Sequence, residues 1–180
     1  MILIRTETAN DHDAVFRLNR EAFGGRETES RLVERIRGSA GFIPELSLVA
    51  VRNGRVVGHL LLSKAEIVDG ERRHEAVVLA PIAVLPEEQR KGIGRALIGE
   101  GFERCVRLGF EVVCLIGHPD YYPRFGFRPA KEAGLELKQF RVPDDVFMVR
   151  ELREGALQEI GGELRYPESF WTLSDKEETE

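Results

Sequence analysis

Apolar and polar positions change period several times along this chain. Residues 2–8, ILIRTET, alternate in the manner of a strand with one buried face. The following ANDHDAVFRLNREAF offers Asn10 or Asp11 as an N-cap ahead of Val15, Phe16, Leu18 and Phe23, and this spacing predicts a helix. A second helix is predicted over 27–37, where Leu32, Val33 and Ile36 share a side before Gly38 and Gly41 break the pattern. Three apolar, β-branched runs then follow one another, separated by Asn53-Gly54 and Asp69-Gly70. Each dipeptide supplies the positive φ of a tight hairpin turn, so the runs predict an antiparallel meander. At Gly92 the period turns helical. Ile93, Ala96, Leu97, Ile98, Phe102, Cys105, Val106 and Leu108 recur at that spacing until Gly109 ends the element. Residues 110–116, FEVVCLI, are too short and too β-branched for another helix and predict a strand. Strand, long helix, strand is a right-handed parallel crossover by default. The pattern therefore predicts a mixed α/β fold.

Composition adds the outer limits. A chain of 180 residues with 42% apolar content suits one globular domain, expected over 1–173. Residues 174–180, SDKEETE, have no apolar anchor and read as a solvated acidic tail. The first residues lack the pattern of a signal peptide, and no apolar run approaches bilayer length, so no membrane partner is expected. Cys105 and Cys114 fall in the long helix and the strand after it, as packed reduced thiols would, which implies a cytoplasmic protein. A net charge of −5 argues against a nucleic-acid partner. His12, His59, His74 and His118 show no metal-ligand spacing, so no metal is expected.

The candidate chemistry sits in QRKGIGR, Gln89–Arg95 by position, between the third meander strand and the long helix. Gly92 and Gly94 leave successive amides uncovered at a helix N-terminus, where the helix dipole favours an anion, and Arg90, Lys91 and Arg95 bring positive charge there. A Walker loop needs a hydroxyl after Gly-Lys, and Arg95 and Ala96 supply none. A dinucleotide fingerprint needs a third glycine where Leu97 stands. A bland reading also exists, in which the glycines only begin a helix and the arginines solvate it.

The surrounding residues narrow the choice. IAVLPEEQRKGIGRALI resembles the acyl-CoA-binding motif of the GNAT superfamily of N-acetyltransferases, with Gln89-Arg90-Lys91-Gly92-Ile93-Gly94 following Val84-Leu85-Pro86. Downstream, YPRFGF is similar to the superfamily's Tyr-x-x-x-Gly-Phe ending, and IGHPDYYPRFGFRPA resembles a subgroup of bacterial and archaeal N-acetyltransferases. VVGHLLLS upstream and RYPESF near the end extend the resemblance over almost the whole chain. It departs at Leu115, where family members carry an asparagine, and Pro119 shortens the segment before Tyr122.

The resemblance implies a GNAT-like mixed sheet, splayed between its fourth and fifth strands and flanked by helices. It implies acetyl transfer from acetyl-CoA to a primary amine, a small molecule or a peptide, by direct attack in a ternary complex. Gln89, Arg90, Lys91, Gly92, Ile93, Gly94 and Arg95 would cradle the pyrophosphate, and the backbone of Ile82, Ala83 and Val84 would meet the pantetheine arm. Pro81 fits such a strand, because proline is excluded from a regular central ladder. Tyr122 matches the family's acid that protonates the departing thiolate. Tyr121 is adjacent, and neighbours on a helix diverge by about 100°, so one ring is expected to face the sulfur. Glu27 or Glu29 could act as base, or only solvate a helix. His118 could relay a proton or cap the short helix that follows. Cys105 and Cys114 have no base partner, which speaks against an acetyl-cysteine intermediate. Two rivals remain: a non-catalytic acyl-CoA-binding module and a nucleotide-phosphate binder. The oligomeric state, a homodimer included, stays open.

Overall fold

The computed structural model describes residues 1–171, so the acidic tail expected over 174–180 lies outside the described residues. The described residues cluster into two compact units, Met1–Ser63 with Leu79–Arg104, and Lys64–Val78 with the described residues from Cys105 onward.

The first unit begins with β1 (Leu3–Thr6) and a 3-10 turn, Ala9–Asp11, that leads into α1 (His12–Ala22). Thr8 and Asp11 form a capping box, and Arg5 grips both carboxylate oxygens of Asp11 at 2.7 and 2.9 Å. Then follow α2 (Thr28–Arg37), with Glu27 as its N-cap, β2 (Ser47–Arg52), β3 (Arg55–Asp69) and β4 (Arg72–Val84). The first hairpin turns at Asn53 (φ 52°) and Gly54 (φ 75°). The second turn falls one residue later than the sequence pattern predicts. Asp69 stays in the strand and Gly70 (φ 60°) with Glu71 forms the loop, a turn that needs a positive φ only at its first central residue.

Helix α3 (Ile93–Arg107) closes the crossover. It ends in a Schellman arrangement, with the Gly109 amide on the Val106 carbonyl and the Phe110 amide on the Cys105 carbonyl, both at 3.0 Å, and Gly109 at φ 89°. Alternation along β2 and β3 assigns the two faces of the first unit. The even residues of β3 meet α3: a Cβ added at Gly58 would touch Ile93 and Leu97, and one at Gly101 would touch Leu60 and Leu62. The odd residues face α1, since His59 reaches Asn19 at 3.4 Å.

The second unit contains β5 (Val112–Ile116), β6 (Arg128–Pro129), β7 (Leu135–Leu137), β8 (Phe147–Glu151), α4 (Ala156–Glu159) and β9 (Gly162–Arg165). β5 pairs antiparallel with β8, and β8 with β6; β9 pairs antiparallel with β3 and parallel with β7. The core of this unit joins Ile67, Val78, Val112, Cys114, Phe147, Val149 and Leu164. Hydrogen bonding runs β1-β2-β3-β4-β5-β8-β6, a mixed and mostly antiparallel sheet with one parallel step at β4–β5 on this path. That parallel ladder consists of Val77 against Val113 and Val78 against Cys114, while β4 itself continues to Val84. Among the described residues no helix is long and apolar enough to cross a membrane.

Candidate active site

Past the parallel ladder, β4 carries a cis peptide bond at Ala80–Pro81. Pro81 and Ala83 are buried and Ile82 and Val84 half-buried, so the strand keeps its alternation through the proline. The chain then leaves β4 through a 3-10 turn, Pro86–Glu88, with the Leu85 amide still bonded to the Val57 carbonyl at 3.0 Å.

The loop into α3 is bent by two left-handed residues, Arg90 (φ 62°) and Gly92 (φ 86°), on either side of Lys91. Handedness that changes from one residue to the next turns successive amides toward one concavity, the geometry of an anion nest. The first helical bond of α3 runs from the Ala96 amide to the Gly92 carbonyl at 3.1 Å. The amides of Ile93, Gly94 and Arg95 therefore precede the helix ladder and have no acceptor within it. No heavy atom lies within 4 Å of the position a Cβ would take on Gly92, so this residue is required by its φ and by approach from outside rather than by packing. Arg90, Lys91 and Arg95 are all exposed around these amides.

Two side chains of the loop bond back onto the protein instead. Gln89 donates from Nε2 to the Val84 carbonyl at 3.1 Å, using one of that oxygen's two lone pairs. Glu88 accepts from Arg52 Nη1 at 2.7 Å and from Lys91 Nζ at 3.3 Å, and Arg55 pairs with Glu87 at 3.3 Å. Lys91 is thus partly spent on holding the loop. The Arg52–Glu88 tie has no local sequence signal, since its partners are separated by 36 positions and meet only through the fold.

In the second unit, Tyr122 begins a 3-10 turn, Tyr122–Phe125, where a fourth helix was expected. The relation between the two tyrosines also differs from the expectation. Their rings do not diverge; they touch edge to face with centroids 5.0 Å apart at 81°. Tyr121 also meets Phe125 at 5.3 Å and lies under the Arg124 guanidinium at 4.8 Å, while Tyr122 meets Phe127 at 5.8 Å. Burial, with a smaller contribution from Tyr121, pushes the Tyr122 phenol up to about 12, so at neutral pH it holds its proton and can act as a donor. His118 caps this turn through its carbonyl, which accepts the amides of Tyr121 and Tyr122, and not through its ring, which is exposed and 3.9 Å from Asp120.

Glu27 is engaged by Arg31 at 2.6 Å and faces Arg20 at 3.9 Å, and Glu29 is gripped by Arg26, so both half-buried carboxylates sit in ion pairs. Cys105 and Cys114 are buried free thiols; burial pushes Cys105 up to about 12 and raises Cys114 as well, which removes both as nucleophiles. Among the described residues no group of three or more His, Cys, Asp or Glu side chains could hold a metal.

Residues 3–130, which contain both the nest and the tyrosine pair, match the acetyltransferase (GNAT) domain family. The chain belongs to this family. Its GNAT relatives include the uncharacterized N-acetyltransferase YhbS of Escherichia coli, 32% identical over 170 residues that span 94% of this chain and 98% of YhbS. YjhQ of the same organism, likewise an uncharacterized N-acetyltransferase, is 37% identical over 123 residues, 67% of this chain and 66% of YjhQ. The crystal structure of Escherichia coli YhbS in complex with CoA superposes with a TM-score of 0.87 at 29% identity, covering 96% of this chain and 93% of that one. A GNAT acetyltransferase of Brucella melitensis, solved with acetyl-CoA, gives 0.75 at 26% identity over 95% and 99%.

Proposed function

We propose that this GNAT protein transfers the acetyl group of acetyl-CoA to a primary amine. The observation that supports it most is the nest at the start of α3, where left-handed Arg90 and Gly92 open the Ile93, Gly94 and Arg95 amides to an anion. The pyrophosphate of CoA has the charge for that concavity, and the complexes of the two relatives with CoA and acetyl-CoA support the same ligand here. In this reading Arg90 and Arg95 add charge around the phosphates. The backbone of Ile82, Ala83 and Val84 offers its groups to the peptide-like pantetheine arm, with the Val84 carbonyl sharing its acceptor capacity with Gln89.

The amine's lone pair forms the new C–N bond at the thioester carbonyl. The C–S bond then breaks with its electron pair on sulfur, and Tyr122 gives that sulfur its phenolic proton. The tyrosinate recovers a proton from solvent, and the proton shed by the amine nitrogen leaves to water or to Glu27 or Glu29. In the second unit the loop around residues 130–145 borders a cavity of about 280 Å³ floored by Leu135, Phe140, Val142 and Phe147, with the Lys131–Asp144 pair on its rim at 3.1 Å, which suits an amine carried on an apolar body.

The test pairs two assays. Calorimetry with CoA should show binding that Arg90→Ala and Arg95→Ala each weaken modestly. Thiol release from acetyl-CoA should rise when an alkylamine, a polyamine, an aminoglycoside or a peptide with a free N-terminus is added. Binding without amine-dependent release would make this an acyl-CoA-binding module, and competition by ATP at equal affinity would make it a nucleotide-phosphate binder.

A further inference from the structure

Gly117 follows β5 and precedes the tyrosine turn, and its φ lies outside the left-handed region, so handedness does not explain a glycine there. Space does. A Cβ on Gly117 would fall closer to Tyr122 Cε2 than non-bonded carbons approach, and would stand 3.0 Å from Cδ2 of that ring and 3.1 Å from Leu115 Cδ1. The backbone cannot easily yield, because the Gly117 amide is tied to the Val146 carbonyl at 2.9 Å and the His118 carbonyl holds the Tyr121 and Tyr122 amides. The ring is also confined by Tyr121 at 5.0 Å and by Phe127 at 5.8 Å, the latter 3% exposed.

We infer that Gly117 is a positioning residue for the reaction: the bare backbone at this point is the seat that fixes where the Tyr122 hydroxyl stands. This rests on the assignment of Tyr122 as the acid. Carbon atoms in ordinary contact sit about 3.5–4.0 Å apart, so a methyl group at Gly117 must push the near edge of the ring by on the order of 1 Å. Cε2 is bonded to the carbon that carries the hydroxyl, so the oxygen moves with it. Misplacement of a reacting group by about that distance lowers a rate by roughly 10²-fold.

The experiment is a double-mutant cycle of Gly117→Ala and Tyr122→Phe, read as kcat for thiol release from acetyl-CoA with the most active amine of the panel and as CoA affinity by calorimetry. Phenylalanine keeps the ring and hence the collision, and removes only the hydroxyl. Gly117→Ala should lower kcat about 10²-fold, leave CoA affinity within about threefold, and have almost no further effect on kcat in the Tyr122→Phe protein. An unchanged kcat in Gly117→Ala, or an equal loss in both backgrounds, overturns the inference. A silent Tyr122→Phe overturns the acid assignment itself, a separate result from failure at Gly117 alone. Should Gly117→Ala not fold, Gly117→Ala/Phe127→Leu measured against Phe127→Leu makes the same comparison with room for the ring to move.

Discussion

Replacing Gly92 by Asp and by Asn separates the two properties the nest needs from that residue. Both side chains have nearly the same shape, and both tolerate a left-handed backbone better than most residues, so at φ 86° they share a strain of roughly 1 kcal/mol. Neither meets a steric obstacle, because no heavy atom lies within 4 Å of the Cβ position. The difference between them is one negative charge at the mouth of the phosphate cradle. Two unit charges about 4 Å apart interact by ~1 kcal/mol in water and ~4 kcal/mol near a protein surface, so an exposed carboxylate facing a pyrophosphate should weaken binding by at least about 1.4 kcal/mol, or tenfold. Calorimetry with CoA at low salt should therefore place Gly92→Asp at least tenfold behind Gly92→Asn. Near 1 M salt, where screening acts over ~3 Å, the gap should shrink to about threefold or less. Folded Asp and Asn variants that bind CoA equally well at low salt would show that no phosphate lies over Gly92.

A buried ion pair in the first unit sets how stability depends on pH. The Glu7 side chain is almost fully covered, taking Arg37 Nε at 2.7 Å and standing 3.4 Å from His59 Nε2; burial alone would raise its pKa, but hydrogen bonds from His59 and Arg37 outweigh that and hold it at about 2 against an ordinary 4.5. A depressed carboxyl contributes stability above its unfolded pKa and loses it as pH falls, so this group should contribute about 3 kcal/mol that disappears between pH ~4.5 and ~2. Burial lowers the His59 pKa, so its neutral form is the folded one and stability should already begin to decline below pH ~6.5. Urea midpoints measured from pH 7 to 3 should fall throughout, and a flat profile would contradict the network. Glu7→Gln should destabilise by about 3 kcal/mol because it strands the Arg37 charge, read from the same melts at pH 7. Gly58→Val should cost about 1–3 kcal/mol, since its Cβ would already stand 3.0 Å from Ile93 Cγ2 and Leu97 Cδ1, and should weaken CoA binding by tilting the first turn of α3. Tyr121→Phe should lower kcat far less than Tyr122→Phe, and the reverse order would move the acid to Tyr121.

What the sequence made legible was what short stretches decide for themselves. Asn53-Gly54, the glycine-rich start of α3 and its Gly109 ending are local devices, and each appears in the structure where the pattern placed it. The second hairpin shifted by one residue because Asp69-Gly70 and Gly70-Glu71 both satisfy the demand for one positive φ, and strand pairing chose between them. The helix expected around the tyrosines is a single 3-10 turn, Tyr122–Phe125, and Tyr121 stands before it as its N-cap, so helical spacing does not govern how the two rings are placed. Contacts between distant positions carried no signal at all. Glu7, just after β1, joins Asn19, Arg37, Ser47 and His59 from four separate elements in one polar network, with Asn19 Nδ2 and Ser47 Oγ on the two ring nitrogens of His59 at 3.4 and 3.2 Å. Gly117 likewise looks like an ordinary loop glycine until the ring against it is seen.

Group transfer is read without intermediaries by following the acetyl group itself. Acetyl-CoA labelled with carbon-13 in the acetyl group, incubated with the protein and each amine of the panel, can be analysed by mass spectrometry for labelled amide alongside free CoA. For at least one amine, labelled amide and CoA should form one for one, at a rate that Tyr122→Phe reduces by roughly 10²-fold while CoA still binds. Tight binding of acetyl-CoA with no labelled amide from any amine would contradict it.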